Sequence, residues 1–222
     1  MSAQWAQAWL RASAAVVHDR STWLTELDAA IGDGDHGINL DRGFGLVVAR
    51  LDAQEAQLLP AGVVLAEAGR VMLGSVGGAS GALYGRALAR AGAAIPEPEA
   101  RAGEVLPLEV IVRAFEAAVE AIAALGRSGP GDKTMLDALV PALGALRASA
   151  GTGTNLGEAL ARAAQAAEAG LEATRPLVAR RGRASYLGER SAGHLDPGAA
   201  SSALLVRALA ETCPAAERVS AG

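Results

Sequence analysis

Three aspartates interrupted by glycines are the first sign of chemistry in this sequence. Asp28, Asp33 and Asp35 stand within eight residues of one another. Residues five apart on a continuous helix lie about 140° apart around its axis, so Asp28 and Asp33 would not share a face there. The glycines between them allow the chain to turn and bring the carboxylates together. Converging carboxylates repel one another unless a cation neutralises them, so this run predicts a site for Mg²⁺ or Ca²⁺.

A plainer interpretation is a polar turn whose aspartates only cap helices. Asp35 stands where an N-cap would precede a helix beginning at His36, and that role fits both interpretations. An EF-hand calcium loop is excluded. Such a loop requires a glycine after its third ligand and a glutamate at its twelfth position, and this run fits neither requirement. Mg²⁺ held by a few carboxylates usually completes its shell with water and phosphate, so a metal here favours a phosphorylated ligand. His36 could then contact that phosphate or orient a carboxylate.

A glycine-rich run, Gly74 to Gly81, lies between two helical patterns. Backbone N–H groups in such a loop and at the following helix start are suited to bind an anion, particularly phosphate. The run is not a Walker A loop, since no Gly-Lys-Ser/Thr follows it. Close helix packing through small residues explains the same composition, and both interpretations stay open.

A third segment runs from Gly129 to Asp137 and contains Lys133, the only lysine in the chain. Thr134 and Asp137 have the spacing of a capping box for the next helix. The simplest interpretation is therefore a turn followed by a cap. Lys133 could help to hold phosphate, although the sequence supports that role only weakly.

A fourth segment, residues 181–198, mixes arginine, tyrosine and glycine and is too polar for simple core packing. Asp196 before Pro197 predicts an N-cap followed by proline at the first helical position. Arginines in this segment could bind phosphate in the bidentate manner that lysine cannot. Of the other histidines, His18 lies in a helical pattern and is expected to be structural, and the role of His194 stays open.

The composition excludes several classes of protein. Among 222 residues there are 53 alanines and only seven aromatics, which favours helices over sheets. A net charge of −4 argues against a nucleic-acid-binding protein. The single cysteine, Cys213, cannot form an internal disulfide or a multi-thiolate metal site. No apolar stretch is long enough to span a bilayer, and the N-terminus lacks the pattern of a signal peptide, so we expect a cytoplasmic protein that binds neither nucleic acid nor membrane.

Helical periodicity recurs along the chain and predicts an all-α fold without a convincing strand. Between Pro107 and Leu125, for example, apolar residues recur every three or four positions and charged residues fill the other face. We expect one domain over residues 1–222, with residues 93–103 as an internal loop. Short connections predict antiparallel neighbours, as in an up-and-down bundle. The predicted helices cover residues 3–20, 36–52, 62–73, 80–94, 107–125, 134–148, 155–180 and 198–211.

Taken together and in this order, the four segments resemble the nucleotide-binding L subunits of dihydroxyacetone kinases, the DhaL family. The most specific matches are residues 27–39, 77–81, 131–135 and 182–198, and the resemblance covers nearly the whole chain. It implies an all-α barrel of eight antiparallel helices with the nucleotide bound at one end. That expectation agrees with the number of helices predicted from periodicity.

The resemblance implies that Asp28, Asp33 and Asp35 hold two Mg²⁺ ions, which bridge to the phosphates of ADP or ATP. Arg183 would close over the nucleotide and stabilise the charge on the transferring phosphoryl group, as the catalytic residue. Nucleotide contacts are implied for His36, Gly37, Ile38, Asn39, Ala79, Ser80, Gly126, Thr134, Met135, Arg183, Asp196, Pro197 and Gly198. The pattern departs from the family at Ala200, where a threonine is common.

Of these residues, Gly126 and Met135 are expected beside the adenine, with Thr134 close by. The resemblance also implies that the sugar sits on a separate dihydroxyacetone-binding K subunit, so this chain should need that partner and no general base of its own. In systems linked to the phosphotransferase pathway, bound ADP is recharged by a phosphohistidine-bearing M subunit. The alternative is a two-chain ATP-dependent keto-sugar kinase whose nucleotide exchanges. A homodimer stays open.

Two other classes of function remain compatible with parts of the sequence. A metal-dependent phosphohydrolase would use the aspartates to activate water and would release phosphate without a partner. A non-catalytic helical module would only bind a regulator, and replacing Asp33 would then leave its function intact. Neither alternative requires the glycine-rich run or the arginine-containing segment.

Overall fold

The computed structural model describes residues 2–53, 59–96 and 105–214. Within these ranges the chain forms eight α-helices and one 3₁₀ segment, Arg183–Ser191, and no strand. The predicted loop 93–103 lies largely outside the described residues. The α-helices are α1 (Ala3–Ile31), α2 (His36–Ala53), α3 (Ala61–Ser75), α4 (Gly78–Ala93), α5 (Leu108–Gly126), α6 (Leu136–Ala150), α7 (Leu156–Ala173) and α8 (Pro197–Glu211).

The helix boundaries follow local signals where those signals are strong. Helix α5 begins after Pro107, which stands at its N-cap, and ends at Gly126. The next residue, Arg127, adopts a left-handed conformation with φ of 47° that stops the helix. Helix α8 begins as predicted, because the side chain of Asp196 accepts a hydrogen bond from the Ala199 N–H and Pro197 occupies the first turn.

Two predicted boundaries are wrong. Helix α1 continues to Ile31 and does not stop near residue 20, because Leu24, Asp28 and Ile31 extend the face that it buries. Helix α7 ends at Ala173 and does not reach residue 180. A proline at position 176 explains the early end, because it disfavours helical backbone at the residue before it and cannot donate a helical hydrogen bond.

Consecutive helices pack against one another, and α1 also packs against α8, which closes the ring. The prediction of an all-α antiparallel barrel is therefore confirmed. Its interior is lined by aliphatic side chains and a few aromatic ones, including Trp5, Phe44 and Tyr84, and contains an apolar cavity of about 110 Å³. Alanine is common among the buried residues, which allows neighbouring helices to approach closely. No helix in the described ranges is long and apolar enough to cross a membrane.

Glycines bring helices α3 and α4 into close contact. A Cβ atom on Gly69 would lie 2.6 Å from the Gly85 carbonyl oxygen, and one on Gly62 would lie 2.7 Å from the Gly92 carbonyl oxygen. Side chains at these positions would therefore push the two helices apart. This pair places the loop between the helices, residues 76–77, at the same end of the barrel as the start of α2.

Candidate functional site

The three predicted metal ligands converge at the junction of α1 and α2. Asp28 is buried in the last turn of α1, the helix ends at Ile31, and Asp33 and Asp35 lie in the short connection before α2. One oxygen from each carboxylate lies within 4.8 Å of the others. The glycines therefore do what the spacing predicted, since the turn brings together side chains that a continuous helix would separate.

The connection is held in shape by Asp28 itself. Its Oδ2 accepts hydrogen bonds from the N–H groups of Asp35, at 2.9 Å, and His36, at 3.2 Å. These two N–H groups belong to the start of α2, and the carboxylate satisfies them as a cap from outside the helix would. Asp35 precedes α2 as predicted, and its carbonyl oxygen accepts the first helical hydrogen bond, from Asn39.

The donor set fits Mg²⁺. Three carboxylate oxygens within a few ångströms are the hard ligands that this ion prefers, and the exposure of Asp33 leaves room for water or phosphate in the remaining positions. A side chain on Gly32 would collide with Oδ1 of Asp28, so glycine keeps that oxygen clear. Oδ2 of Asp28 accepts hydrogen bonds from two backbone N–H groups, and these bonds fix the orientation of Oδ1.

A cavity of about 390 Å³ opens beside the carboxylates. It is lined by the starts of α2, α4 and α8, by Met135 just before α6, and by the segment around Arg183. In an antiparallel barrel the even-numbered helices all begin at one end, so their positive N-terminal dipoles meet here. A cavity with four such helix ends and a cation site is suited to a polyanion such as the phosphates of a nucleotide.

The glycine-rich run has features of both of the roles that the sequence left open. Gly78 begins α4 with φ of 75°, close to Asn39 and Asp35 across the site. No side chain caps α4, so the N–H groups of Ala79 and Ser80 are suited to a phosphate ligand. Gly81, by contrast, is needed for packing, because a Cβ atom there would collide with Val76.

The loop before α6 is organised by Asp137. Its carboxylate accepts hydrogen bonds from the N–H of Gly131, at 2.5 Å, and the N–H of Thr134, at 2.7 Å. The predicted pairing of Thr134 with Asp137 therefore exists, although the carboxylate also reaches back to Gly131. The weak suggestion that Lys133 holds phosphate is not supported, because its buried ammonium donates to the backbone carbonyls of Thr174 and His194.

Residues 175–193, here called the lid segment, cover one side of the cavity. Arg183 lies at their tip and pairs with Asp33, with 2.8 Å between Nε and Oδ2. Gly182 and Gly188 flank or interrupt the 3₁₀ segment with φ of 67° and 54°, conformations that glycine adopts readily. Arg183 is exposed, so its guanidinium has room to exchange this partner for a phosphate.

Asp196, at the far side of the cavity, is buried as Asp28 is, whereas Asp33 and Asp35 are more exposed. Burial raises its pKa to about 7, although the hydrogen bond from the Ala199 N–H and the ammonium of Lys133 oppose the shift. The negative charges of Asp137 and Asp28 act in the same direction as burial. Asp196 is therefore a helix cap whose buried carboxyl group takes up a proton at a higher pH than an exposed aspartate does.

A buried hydrogen-bond network was not anticipated from the sequence. The Tyr84 hydroxyl lies 2.7 Å from Ser201 Oγ and 2.9 Å from Ser202 Oγ, and Nε2 of His36 lies 2.9 Å from Ser201 Oγ. Burial raises the pKa of Tyr84 to about 12. Burial lowers the pKa of His36, although the negative charges of Asp28 and Asp35 oppose that shift. The His36 ring is thus directed towards α8, while its N–H belongs to the metal-site turn.

Most of the predicted site residues line one cavity. The predicted residues in its wall are Asp28, Asp33, Asp35, His36, Ala79, Ser80, Gly126, Thr134, Met135, Arg183, Asp196, Pro197 and Gly198. Three predicted contacts lie outside this wall. Gly37 packs against α1, where a side chain would collide with the Ser21 carbonyl oxygen, Ile38 is exposed, and Asn39 lies near Gly78.

Comparison with known proteins adds an independent observation. Residues 30–211 match the family model described as the DAK2 domain. The chain is 41% identical over 202 residues to the "PEP-dependent dihydroxyacetone kinase, ADP-binding subunit DhaL" of Escherichia coli, which covers 91% of this chain and 93% of that protein. It is also 41% identical over 197 residues to the "L-erythrulose 1-kinase" of Mycolicibacterium smegmatis, covering 88% of this chain but only 33% of that one.

Among solved structures, the dihydroxyacetone kinase from C. freundii in complex with AMP-PNP and Mg²⁺ matches with a TM-score of 0.69 and 28% identity. The match covers 93% of this chain and 33% of that chain, so the chain spans about a third of the length of that kinase.

Proposed function

The chain belongs to the DAK2 domain family, and from that membership we propose that it is the ADP-binding, DhaL-type subunit of a PEP-dependent dihydroxyacetone kinase. The observation that carries the proposal is the meeting of three carboxylates, with oxygens within 4.8 Å, at the mouth of a cavity where four helices begin. The match to 93% of the Escherichia coli ADP-binding subunit supports the same role for this chain.

We propose that Asp28, Asp33 and Asp35 hold two Mg²⁺ ions together with the nucleotide. Bound magnesium would supply positive charge to the phosphate oxygens during transfer. The N–H groups at the start of α4 would bind phosphate oxygens beside the ions, since no side chain caps that helix. These groups are fixed by the fold, so they need little reorganisation as negative charge develops.

Arg183 is the proposed catalytic residue. Its pairing with Asp33 supports this role, because the guanidinium already lies at the metal site and can turn to the transferring phosphoryl group. The adenine would lie on the opposite wall, against Gly126, Thr134 and Met135. The turn at residues 196–198 would close the remaining side, with Asp196 holding the start of α8 in place.

The phosphoryl acceptor in this proposal is dihydroxyacetone held on a partner K subunit, and an M subunit bearing phosphohistidine recharges ADP. Four of the large apolar residues that the structure exposes support a protein partner at the site end of the barrel. Ile38, Leu73, Leu125 and Tyr186 are exposed by 62%, 47%, 52% and 89%, and each lies where a helix or the lid segment meets that end. Apolar side chains around an active-site mouth are typical of a docking surface.

A second candidate is the nucleotide-binding subunit of a two-chain ATP-dependent keto-sugar kinase. The 41% identity to an L-erythrulose 1-kinase favours it, because this relative is as similar in sequence as the Escherichia coli subunit. The two candidates differ in how the nucleotide behaves. A resident ADP would be recharged without leaving, whereas an ATP-dependent kinase must release ADP after each turnover.

The test is to denature the purified chain and to measure the nucleotide that it releases by chromatography. We expect about one ADP per chain. A chain that releases no nucleotide but binds Mg-ATP reversibly would support the second candidate. A chain without nucleotide and without affinity for ADP or ATP in Mg²⁺ would overturn both.

A further inference from the structure

Lys133 occupies an unusual position for a lysine. The chain contains 20 basic residues, of which 19 are arginines and only Lys133 is a lysine, and that lysine is 1% exposed. Its Nζ lies 2.7 Å from the Thr174 carbonyl oxygen and 2.5 Å from the His194 carbonyl oxygen. A buried ammonium group destabilises the folded chain unless it is well hydrogen-bonded, and these two carbonyls accept the hydrogen bonds that Lys133 needs.

The two carbonyls that Lys133 bonds mark the two ends of the lid segment. Thr174 follows α7 and His194 precedes α8, and the residues between them carry Arg183. One ammonium therefore joins the start of the lid segment to its end. The same group attaches both ends to the loop before α6, which contributes Thr134 and Met135 to the cavity.

Other hydrogen bonds make the base of the lid segment narrow. The Gly193 N–H donates to the Arg175 carbonyl at 2.8 Å, and the Ala179 N–H donates to Ser191 Oγ at 2.8 Å. These bonds cross from one arm of the segment to the other, as in a hairpin. Two groups fix this hairpin to the loop before α6: the Lys133 ammonium, and the Arg180 N–H, which donates to the Asp132 carbonyl at 3.0 Å.

The same cluster controls the turn before α8. The Asp196 N–H donates to Thr174 Oγ1 at 3.0 Å, so the residue whose carbonyl Lys133 holds also supports Asp196. The Asp196 carboxylate is close enough to Lys133 to favour its charged form, against the burial that lowers the pKa of the lysine. A side chain at position 133 that cannot donate would remove the side-chain donor of the His194 carbonyl and leave the buried Thr174 carbonyl with the Leu177 N–H, at 3.1 Å.

We propose that Lys133 is a positioning residue for phosphoryl transfer, whose ammonium holds the two ends of the lid segment together and so places Arg183 at the metal site. This inference rests on the proposed function for its catalytic consequence, but the structural consequence can be measured without nucleotide. Arginine is not equivalent here, because its larger planar group cannot place one point charge between two carbonyls.

The first experiment is limited trypsin digestion of Lys133→Met in the absence of nucleotide. The lid segment contains five exposed arginines, and four of them, at positions 180, 181, 183 and 190, are not followed by proline and so can be cleaved by trypsin. We expect cleavage at these sites to become at least about tenfold faster than in the parent, as measured by mass spectrometry, because local opening exposes the backbone.

The matched control is Leu146→Ala, which removes a buried side chain from the middle of α6 and destabilises the whole barrel. Faster cleavage in the lid segment of Lys133→Met than in this control supports the proposal. Equal cleavage in the two variants, or cleavage of Lys133→Met at the parent rate, overturns it. Should Lys133→Met fail to fold, Lys133→Arg is expected to show the same selective cleavage, and its absence there overturns the proposal too.

The second experiment is a double-mutant cycle with Arg183→Ala, measuring kcat and KM with the partner subunit. If Lys133 acts through Arg183, Lys133→Met lowers kcat in the parent but has at most about a third of that effect in the Arg183→Ala background. Independent, additive effects would overturn the role in positioning Arg183. If no nucleotide binds to any variant, the proposed function fails, while the trypsin result still decides the structural role of Lys133.

Discussion

At the residue scale, the aspartates around the cavity have different surroundings and therefore different proposed roles. Asp33 and Asp35 lie in an open turn with Asp28 behind them, and a cation is the partner that three close carboxylates favour. Asp196 is buried among polar groups and caps a helix. The same residue type therefore forms the proposed metal site at the turn after α1 and, at position 196, caps a helix.

The metal assignment predicts the behaviour of Asp33→Ala. We expect the variant to lose the Mg²⁺-dependent part of its ADP affinity, a weakening on the order of a hundredfold, because one of three ligands is gone. Titration calorimetry with ADP, with and without Mg²⁺, measures this loss. The control is Asp52→Ala, which removes an exposed carboxylate paired with Arg11 at the other end of α2. Parent-like ADP binding by Asp33→Ala would contradict the metal assignment.

Asp196 predicts a pH dependence of stability. Its pKa in the folded chain is about 7, above the ordinary aspartate value of 3.8, so folding takes up a proton between these two pH values. Raising the pH from about 4 to about 7 should therefore destabilise the parent relative to Asp196→Asn, by at most about 4 kcal/mol. Urea denaturation of both proteins across this range, without metal, measures the difference. A difference that stays constant with pH would contradict the raised pKa.

At the element scale, the site depends on helices that begin and end at defined residues. Helix α1 stops at Ile31, so Asp28 remains helical while Asp33 leaves the helix axis. Helices α3 and α4 approach closely through glycines, which holds the start of α4 beside the carboxylates. The exact length of each helix thus decides which side chains reach the cavity.

The α3–α4 contact predicts opposite effects for two similar substitutions. Gly69→Ala should lower the free energy of unfolding by about 1–3 kcal/mol, because the added methyl group would lie 2.6 Å from the Gly85 carbonyl oxygen. Gly45→Ala, in α2, meets nothing within 4 Å and should raise stability by about 0.5–1 kcal/mol. Thermal and urea denaturation of both variants provide the test. A stable Gly69→Ala variant would show that the two helices can separate without cost.

At the scale of the whole molecule, closure of the barrel creates the site. The contact between α1 and α8 brings Asp28, at the end of the first helix, into the same cavity as the start of the last helix. The antiparallel order then places four helix N-termini around one cavity. Exposed apolar residues at this same end make it the face that a partner protein would cover.

The docking surface predicts a selective effect of Tyr186→Ser. We expect this variant to bind ADP like the parent but to lose at least about tenfold in phosphoryl transfer to dihydroxyacetone on a K-type subunit, because exposed aromatic residues commonly carry binding energy. Leu46→Ser is the control, since Leu46 is also exposed, by 42%, but lies in the middle of α2. Equal transfer rates for the two variants would place the partner elsewhere.

Short-range signals in the sequence determined the helices, several of their ends and the turn that brings the aspartates together. Apolar periodicity predicted the helices, Pro107 and Gly126 predicted the limits of α5, and the aspartate and glycine spacing predicted the cluster that the structure brings together. These signals are readable because capping, turn formation and amphipathic packing each depend on residues within a few positions of one another.

Tertiary structure alone decided the contacts between distant segments. Tyr84, Ser201 and His36 form one network although they lie far apart in sequence, and Lys133 reaches carbonyls 41 and 61 residues away. The sequence suggested phosphate or a carboxylate as the partner of His36 and phosphate as that of Lys133, and it did not indicate these contacts, because a polar side chain has many possible hydrogen-bond partners until the helices are packed. Burial in the closed barrel then selects the partner, since a buried polar group must be satisfied by whatever the fold places beside it.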